Sequence, residues 1–381
     1  DMIGLSGLLV KSAQQMAVTA EDLKAAGIAV PLLLGGAALT EKFTAVKIAP
    51  AYGAPAVYAR DAMGGLEAAN RLMGDREAFL ERLKGGQEKL RAASPVSVSV
   101  PPEKGSAPIS RRYDPPVPPD LKLHVAEKFS VEEIFEHINP MMLYGKHLGL
   151  KGRLQKLLEA KDETAVKLHG QVTALQDEIL TEKYLLPKAV WRFYPAQSDG
   201  DRLILYRDIY GREAAAAFDF PRQQAGERLC LSDFVLPKSA GAMDYVALFV
   251  VSVGGRATEQ SAVWRERGDY FKSHALQAVA IESAEALAEL LHEKIREMWG
   301  IDAGGLSLQE KFQAKYRGLR VSFGYPACPD LADQARLFQL LQPEDKIGVR
   351  LTENFMMDPE ASVSAMVFHH PQARYFSVLE S

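Results

Sequence analysis

Between Ser94 and Pro119 this 381-residue chain carries eight prolines and no apolar period of helix or strand. Proline fixes φ and donates no backbone hydrogen bond, so such a stretch cannot form a helix interior or a central strand. The chain must therefore fold as separate bodies joined by an extended, semi-stiff connection. The expected organisation is a first domain over 1–85, a linker over 86–120 and a second domain over 121–381. Hydrophobic residues, at 47%, suffice for both bodies to bury a core.

Before the linker, strand and helix signals alternate. Met2–Leu9 is a short apolar run, and Ser12 to Ala26 has a helical period ended by Gly27. Ile28–Leu34 is a second buried-strand run closed by Gly35-Gly36. Thr40 caps a helix expected through Ala51. Ala56–Ala59 is a third strand, and Asp61 opens a helix to Met73. Three β-α units in succession predict a parallel, doubly wound α/β sheet. Three strands are few for such a sheet, so a chain that enters a strand straight from Asp1 is expected to be a piece of a longer protein. A charged surface helix is expected over 75–93.

After the linker the pattern becomes α+β. Ser130-Val-Glu-Glu133 and Ser307-Leu-Gln-Glu310 read as capping boxes. Long helices are expected near 153–160, 162–184 and Asp269–Trp299. Strands are expected at Ala189–Tyr194, Leu203–Tyr206, Tyr245–Val253, Val363–Phe368 and Tyr375–Leu379. Asp199-Gly200 marks a hairpin turn.

The formal charge is 45 − 49 = −4, which argues against a nucleic-acid binder with a broad basic face. No apolar run reaches about 18 residues, so no membrane span is expected and the chain is read as cytoplasmic. The two cysteines, Cys230 and Cys328, and eight histidines show no metal-ligand spacing. Cys328 has no base beside it and reads as structural, and His369-His370, before a proline, reads as a loop.

Ligands of doubly wound sheets sit at the C-terminal ends of strands, which here carry Ser6-Gly7, Gly35-Gly36-Ala37 and Tyr58–Ala62. Ordinary strand-to-helix turns explain the glycines equally well, and spacing names no ligand. The wording is more specific. Ile3-Gly-Leu-Ser-Gly-Leu8, Pro31-Leu-Leu-Leu-Gly-Gly-Ala37, Thr44-Ala-Val-Lys-Ile48 and Val57-Tyr58 resemble the cobalamin-binding domain of the cobalamin-dependent methionine synthase family. That resemblance implies a flavodoxin-like unit in which Ser6 bonds the corrinoid's nucleotide tail. Gly35 and Gly36 would make room for it, and Tyr58 and Ala62 would line it. Val10 stands where a Thr is common. The family's Asp-x-His-x-x-Gly loop, whose His ligates cobalt, is expected upstream of Asp1.

In the second domain, Arg320-Val-Ser-Phe-Gly-Tyr-Pro-Ala-Cys-Pro329 is by itself a stiff surface loop. It also resembles the reactivation domain of the same family, which binds S-adenosylmethionine (AdoMet). Gln223-Gln224, Ser232–Lys238, Ala242–Tyr245, Leu291-His-Glu293, Leu351–Phe355 and Ala361–Ser364 extend the resemblance over essentially the whole chain. It implies that Arg320 grips the AdoMet carboxylate by a forked pair. Gly324, Tyr325 and Ala327 would meet the adenosine, and Tyr375 and Phe376 would add aromatic contacts where Tyr-Tyr is usual. Glu293, with Glu289 one turn earlier, would favour a cationic ligand. Asn139 stands where the family has an Asp for the amino group.

The implied activity is reductive methylation of cob(II)alamin to methylcobalamin, supporting methyl transfer from methyltetrahydrofolate to homocysteine. The implied partners are a flavodoxin-type electron donor and the enzyme's own folate and homocysteine domains. Zinc is expected only in the homocysteine domain, outside this chain, and a monomer is expected. Two alternatives stay open: a non-catalytic corrinoid- or AdoMet-binding module, and a reductive activator of another corrinoid methyltransferase.

Overall fold

The computed structural model describes residues 2–7, 10–36, 39–92, 109–111, 113–301 and 304–378. The chain divides into two compact units between Glu103 and Lys104, inside the proline-rich stretch.

In the first unit β1 (Ile3–Ser6), β2 (Leu32–Gly35) and β3 (Ala56–Ala59) form a parallel sheet in that order. Helix Val10–Ala25 connects β1 to β2 and sends Ala13, Met16 and Ala20 into a core with Leu32, Leu34 and Tyr52. On the other side Val57 packs with Ala68 and Leu72 of helix Ala62–Met73. Both faces are thus covered, as a parallel sheet requires. The two expected caps form: Thr40 Oγ1 accepts from Phe43 N–H at 3.1 Å, and Asp61 Oδ1 from Gly64 N–H at 2.8 Å. The helix expected from Thr40 to Ala51 is interrupted by a π-helical turn at Thr44–Ile48 and ends at Tyr52.

Residues 86–92, expected in the linker, complete helix Arg76–Ala92. Gln87 Nε2 donates to Ala56 O and Arg91 Nε to Ala45 O, each at 2.7 Å, so this end of the helix is tied to the first unit. The linker's residues 93–108 lie outside the described residues.

The second unit is built on a seven-stranded sheet. Its order is β7 (Ala214–Asp219), β6 (Arg202–Tyr206), β5 (Lys188–Asp199), β8 (Asp244–Ser252), β12 (Ser362–Phe368), β9 (Leu319–Val321), with β4 (His124–Ala126) also on β5. Every pairing in this sheet is antiparallel. The short β10 (Arg350–Leu351) and β11 (Met357–Asp358) form a separate pair.

Every residue of β8 is buried because both faces of the sheet are covered. Ala247, Phe249 and Val251 join a core under the 30-residue helix Tyr270–Trp299, hereafter the long helix. Val246, Leu248 and Val250 join the opposite core with Phe234, Phe323 and Leu337. The α+β expectation with long helices and a mostly antiparallel sheet therefore holds.

The last third of the expected linker is fastened to this unit. Ile109 is buried, Ser110 bonds Gln372 and His370, and Trp299 Nε1 donates to Pro116 O at 2.8 Å. The Ser307 capping box forms, whereas at Ser130 only its first half does: Ser130 Oγ accepts from Glu133 N–H at 3.0 Å and donates to Glu132. His369 and His370 lie outside any strand, as expected, but both are buried. The strand expected at Tyr375–Leu379 does not form over 375–378, and Leu379 is outside the described residues. That segment instead crosses the 322–329 loop, with Val378 N–H donating to Pro326 O at 3.0 Å.

Candidate functional site

At the carboxyl edge of the first sheet, Ser6, Gly35 and Ala59 stand in one register row across three strands. No side chain in that row exceeds serine, so the edge is low. Ser6 is exposed, and Tyr58 Oη donates to Leu39 O at 3.3 Å. Gly36 has φ +122, and a Cβ there would lie 1.9 Å from Gly7 O, so the two turns touch backbone to backbone. Val10 and Ala62 each begin a helix at this edge, and their side chains lie outside the described set. The structure thus gathers Ser6, Gly35, Gly36 and Tyr58 at the expected ligand edge.

In the second unit, strand alternation decides where Arg320 points. Leu319 and Val321 enter the core that includes Phe323, so Arg320 between them faces the other way, toward the long helix. There its Nη1 and Nη2 lie 3.4 and 3.5 Å from Glu285 Oε2, and Nη2 lies 3.7 Å from Glu289 Oε2. Burial works against the guanidinium charge, but Glu285 and Glu289 outweigh it and hold the pKa above its ordinary value. Glu289 itself is raised, because burial outweighs Arg320 and Arg296.

A cavity of about 100 Å³ opens here, walled by Arg320, Tyr325, Ala327, Tyr375, Phe376 and Glu285. Val321, Ser322 and Pro326 complete the lining, so five of its nine residues were expected from sequence. Gly324, at φ +85, begins a tight turn in which its N–H donates to Cys328 O at 2.8 Å and Cys328 N–H to Tyr325 O at 2.9 Å. That turn buries Ala327 and leaves the Tyr325 ring partly open. Tyr375 Oη donates to Arg320 O at 2.8 Å, stitching the C-terminal segment to β9. Glu285 and burial both push the Tyr325 phenol up, so it stays neutral.

Two expected residues lie elsewhere. Glu293, two turns along the helix from Glu285, is bonded to Lys311 Nζ at 2.6 Å. Asn139 Oδ1 accepts from Met141 N–H at 3.0 Å, at the entry to the π-helical segment Met141–His147. Neither lines the cavity. The charged lining residue that sequence reasoning did not name is Glu285. Its signal was the recurrence of acid at 285, 289 and 293, one helix face.

Cys328 is buried, and burial raises its thiol well above the ordinary value, which fits a structural role. Among the described residues no group of His, Cys, Asp and Glu could hold a metal ion, and no helix is long and apolar enough to cross a membrane.

Comparison with known proteins shows what the chain is similar to. Residues 130–380 match the model of the vitamin B12 dependent methionine synthase activation domain. Methionine synthase of Mycobacterium tuberculosis (strain ATCC 25618 / H37Rv) is 33% identical over an alignment covering 99% of this chain and 34% of that protein. The chain thus spans about a third of that relative's length. A crystal structure of the MetH reactivation domain bound to AdoHcy superposes with TM-score 0.67 and 33% identity, covering 70% of this chain and 84% of that one. The chain belongs to the vitamin B12-dependent methionine synthase family, which its second unit enters as the activation domain.

Proposed function

We propose that the second unit binds AdoMet and presents its methyl group for reductive methylation of cobalamin, in support of methionine synthesis. One observation carries the reading: a guanidinium and a carboxylate, 3.4 Å apart, stand side by side in the lining of a small cavity with aromatic walls. AdoMet ends in an amino acid, with carboxylate and ammonium on one carbon. Arg320 takes the carboxylate by a charge-assisted pair, and Glu285 takes the ammonium. Pockets that enclose a whole ligand of this size run to about 300 Å³ or more. A cavity of about 100 Å³ therefore encloses the charged end. The adenosine lies along the open lip at Gly324, Tyr325 and Ala327, flanked by Tyr375 and Phe376. Neither Glu293, already paired, nor Asn139 is needed for this mode. The AdoHcy bound by the similar reactivation domain shares that amino-acid end.

The low row Ser6–Gly35–Ala59 fits a bulky ligand approaching the strand ends, and Ser6 Oγ offers it a hydrogen bond. Ser6, Gly35, Gly36 and Tyr58, with Val10 and Ala62 beginning the adjoining helices, would hold the cobalamin tail. Cobalamin, when bound there, would supply a cobalt acceptor for the methyl group, with one electron from a flavodoxin-type donor and S-adenosylhomocysteine as the other product. The chain's own residues hold and orient AdoMet, a proximity contribution more than an acid–base one. Its other partners are the folate and homocysteine domains of the longer enzyme.

The test is calorimetric titration of AdoMet into this chain and an Arg320→Ala variant, followed by methyl transfer from labelled AdoMet to reduced cobalamin. Saturable binding that the variant loses, with label on the corrinoid, supports the reading. Binding that survives Arg320→Ala overturns the site assignment. Binding without transfer overturns the catalytic part.

A further inference from the structure

Behind Arg320 lies a second cation that the proposed binding mode does not touch. Arg296, on the long helix, is 1% exposed, and its Nη1 lies 3.9 Å from Glu289 Oε1. The other oxygen of Glu289 lies 3.7 Å from Arg320 Nη2. One carboxylate, itself 13% exposed, thus stands between two guanidinium groups. The Arg296 guanidinium lies 4.1 Å over the Tyr316 ring, and His292, wholly buried, meets the same ring edge-on at 4.9 Å. From its own helix Glu289 also faces His292, Glu285 and Glu293. Glu289 does not line the cavity.

We infer that Glu289 is a positioning residue: wedged between Arg320 and Arg296, it fixes the Arg320 guanidinium in the orientation that receives a ligand carboxylate. The physical reason is the cost to two buried cations of losing the anion that stands between them. Without the Glu289 charge, Arg296 and Arg320 repel in a poorly solvated space. Arg296 is held by the Tyr316 ring, so Arg320, on the cavity side, is the group that moves. Glu285 then remains as the anion beside Arg320, through one oxygen at 3.4–3.5 Å, and draws it from one side only. The inference rests on the reading of the cavity as an AdoMet site, and predicts that part of the specificity for the ligand's carboxylate is set by a residue that never touches it.

The experiment compares AdoMet with decarboxylated AdoMet, which keeps the amine and nucleoside but lacks the carboxylate. Both are titrated into the wild-type chain, Glu289→Gln and Arg320→Ala. Expected for Glu289→Gln is a loss of about tenfold in AdoMet affinity, with decarboxylated AdoMet affected less than about twofold. A merely structural role would weaken both ligands together, so equal losses overturn the inference, as do unchanged or tightened AdoMet binding. If Glu289→Gln does not fold, Glu289→Asp keeps the charge on a shorter arm and the same two-ligand ratio is read there. If Arg320→Ala binds AdoMet like wild type, the site reading fails and takes this inference with it. If Arg320→Ala loses AdoMet while the Glu289 variant shows no selective loss, only the inference fails.

Discussion

The Nη1 of Arg320 stands 3.4 Å from Glu285 Oε2, about half an ångström beyond a tight charge-assisted bond. The two charges attract without a tight bond, so on the proposed reading a zwitterion exchanges this pair for its own carboxylate on Arg320 and its ammonium on Glu285. Glu285→Gln therefore weakens AdoMet binding by about tenfold, the worth of one hydrogen bond to a charged group. An analogue without the α-ammonium is expected to bind both proteins alike. Calorimetry with the two ligands reads the difference, and equal losses for both would remove Glu285 from the ammonium role.

Gly36 tests the first unit separately. Its φ of +122 disfavours any side chain, and a Cβ would meet Gly7 O at 1.9 Å, backbone that no rotamer change can clear. Gly36→Ala is expected to destabilise this unit by about 3 kcal/mol through strain and forced separation of the two turns. Scanning calorimetry should show a lowered transition for residues 1–103 and an unaltered one for the second unit. A wild-type first transition would show that the Gly7–Gly36 contact is dispensable.

Asp244, fully buried, accepts from Leu236 N–H at 2.8 Å and Tyr245 N–H at 2.7 Å, and is bonded to His369 Nε2 at 2.6 Å and to the Tyr113 hydroxyl. Tyr113→Phe removes one of these four and is expected to cost about 1–3 kcal/mol. It also releases the hold on the segment around Ser110 and Pro116. Hydrogen exchange should rise at residues 110–116, and unchanged protection there would mean that Ile109 and the Trp299–Pro116 bond suffice.

The legible and illegible parts of the molecule divide on physical grounds. β8 and the long helix were readable because one is an almost wholly apolar run buried throughout and the other repeats its apolar residues over 30 positions, with buried ones from Ser273 to Trp299. β9 was not, since three residues carry no period, and only pairing with β12 makes them a strand. Arg320 was named from its loop, whereas Glu285, the acid nearest to it, was not. The long helix offers acid at 285, 289 and 293, and only the placement of β9 selects 285 and 289 while leaving 293 to Lys311. The division into two compact units falls within the proline-rich stretch. The last prolines of that stretch read as linker because a chain without its own period can still be fastened by distant side chains such as Trp299 and His370.

His292 gives the pH dependence. Burial, with Arg296 and Arg320 beside it, holds its pKa well below the ordinary 6.5. Above about pH 6.5 the ring is neutral in both folded and unfolded chain, so it contributes no slope. Below that value the unfolded ring takes a proton that the folded one refuses, and stability falls as the pH falls. The slope from this one group is at most about 1.4 kcal/mol per pH unit. His370, also lowered by burial, acts in the same direction. His292→Leu should therefore flatten, not abolish, the loss of stability between pH 6.5 and 5, whatever it does to stability at pH 8. Urea unfolding at each pH reads the slope directly. Parallel curves for the two proteins would mean that His292 is protonated in the folded state, against the two arginines that flank it.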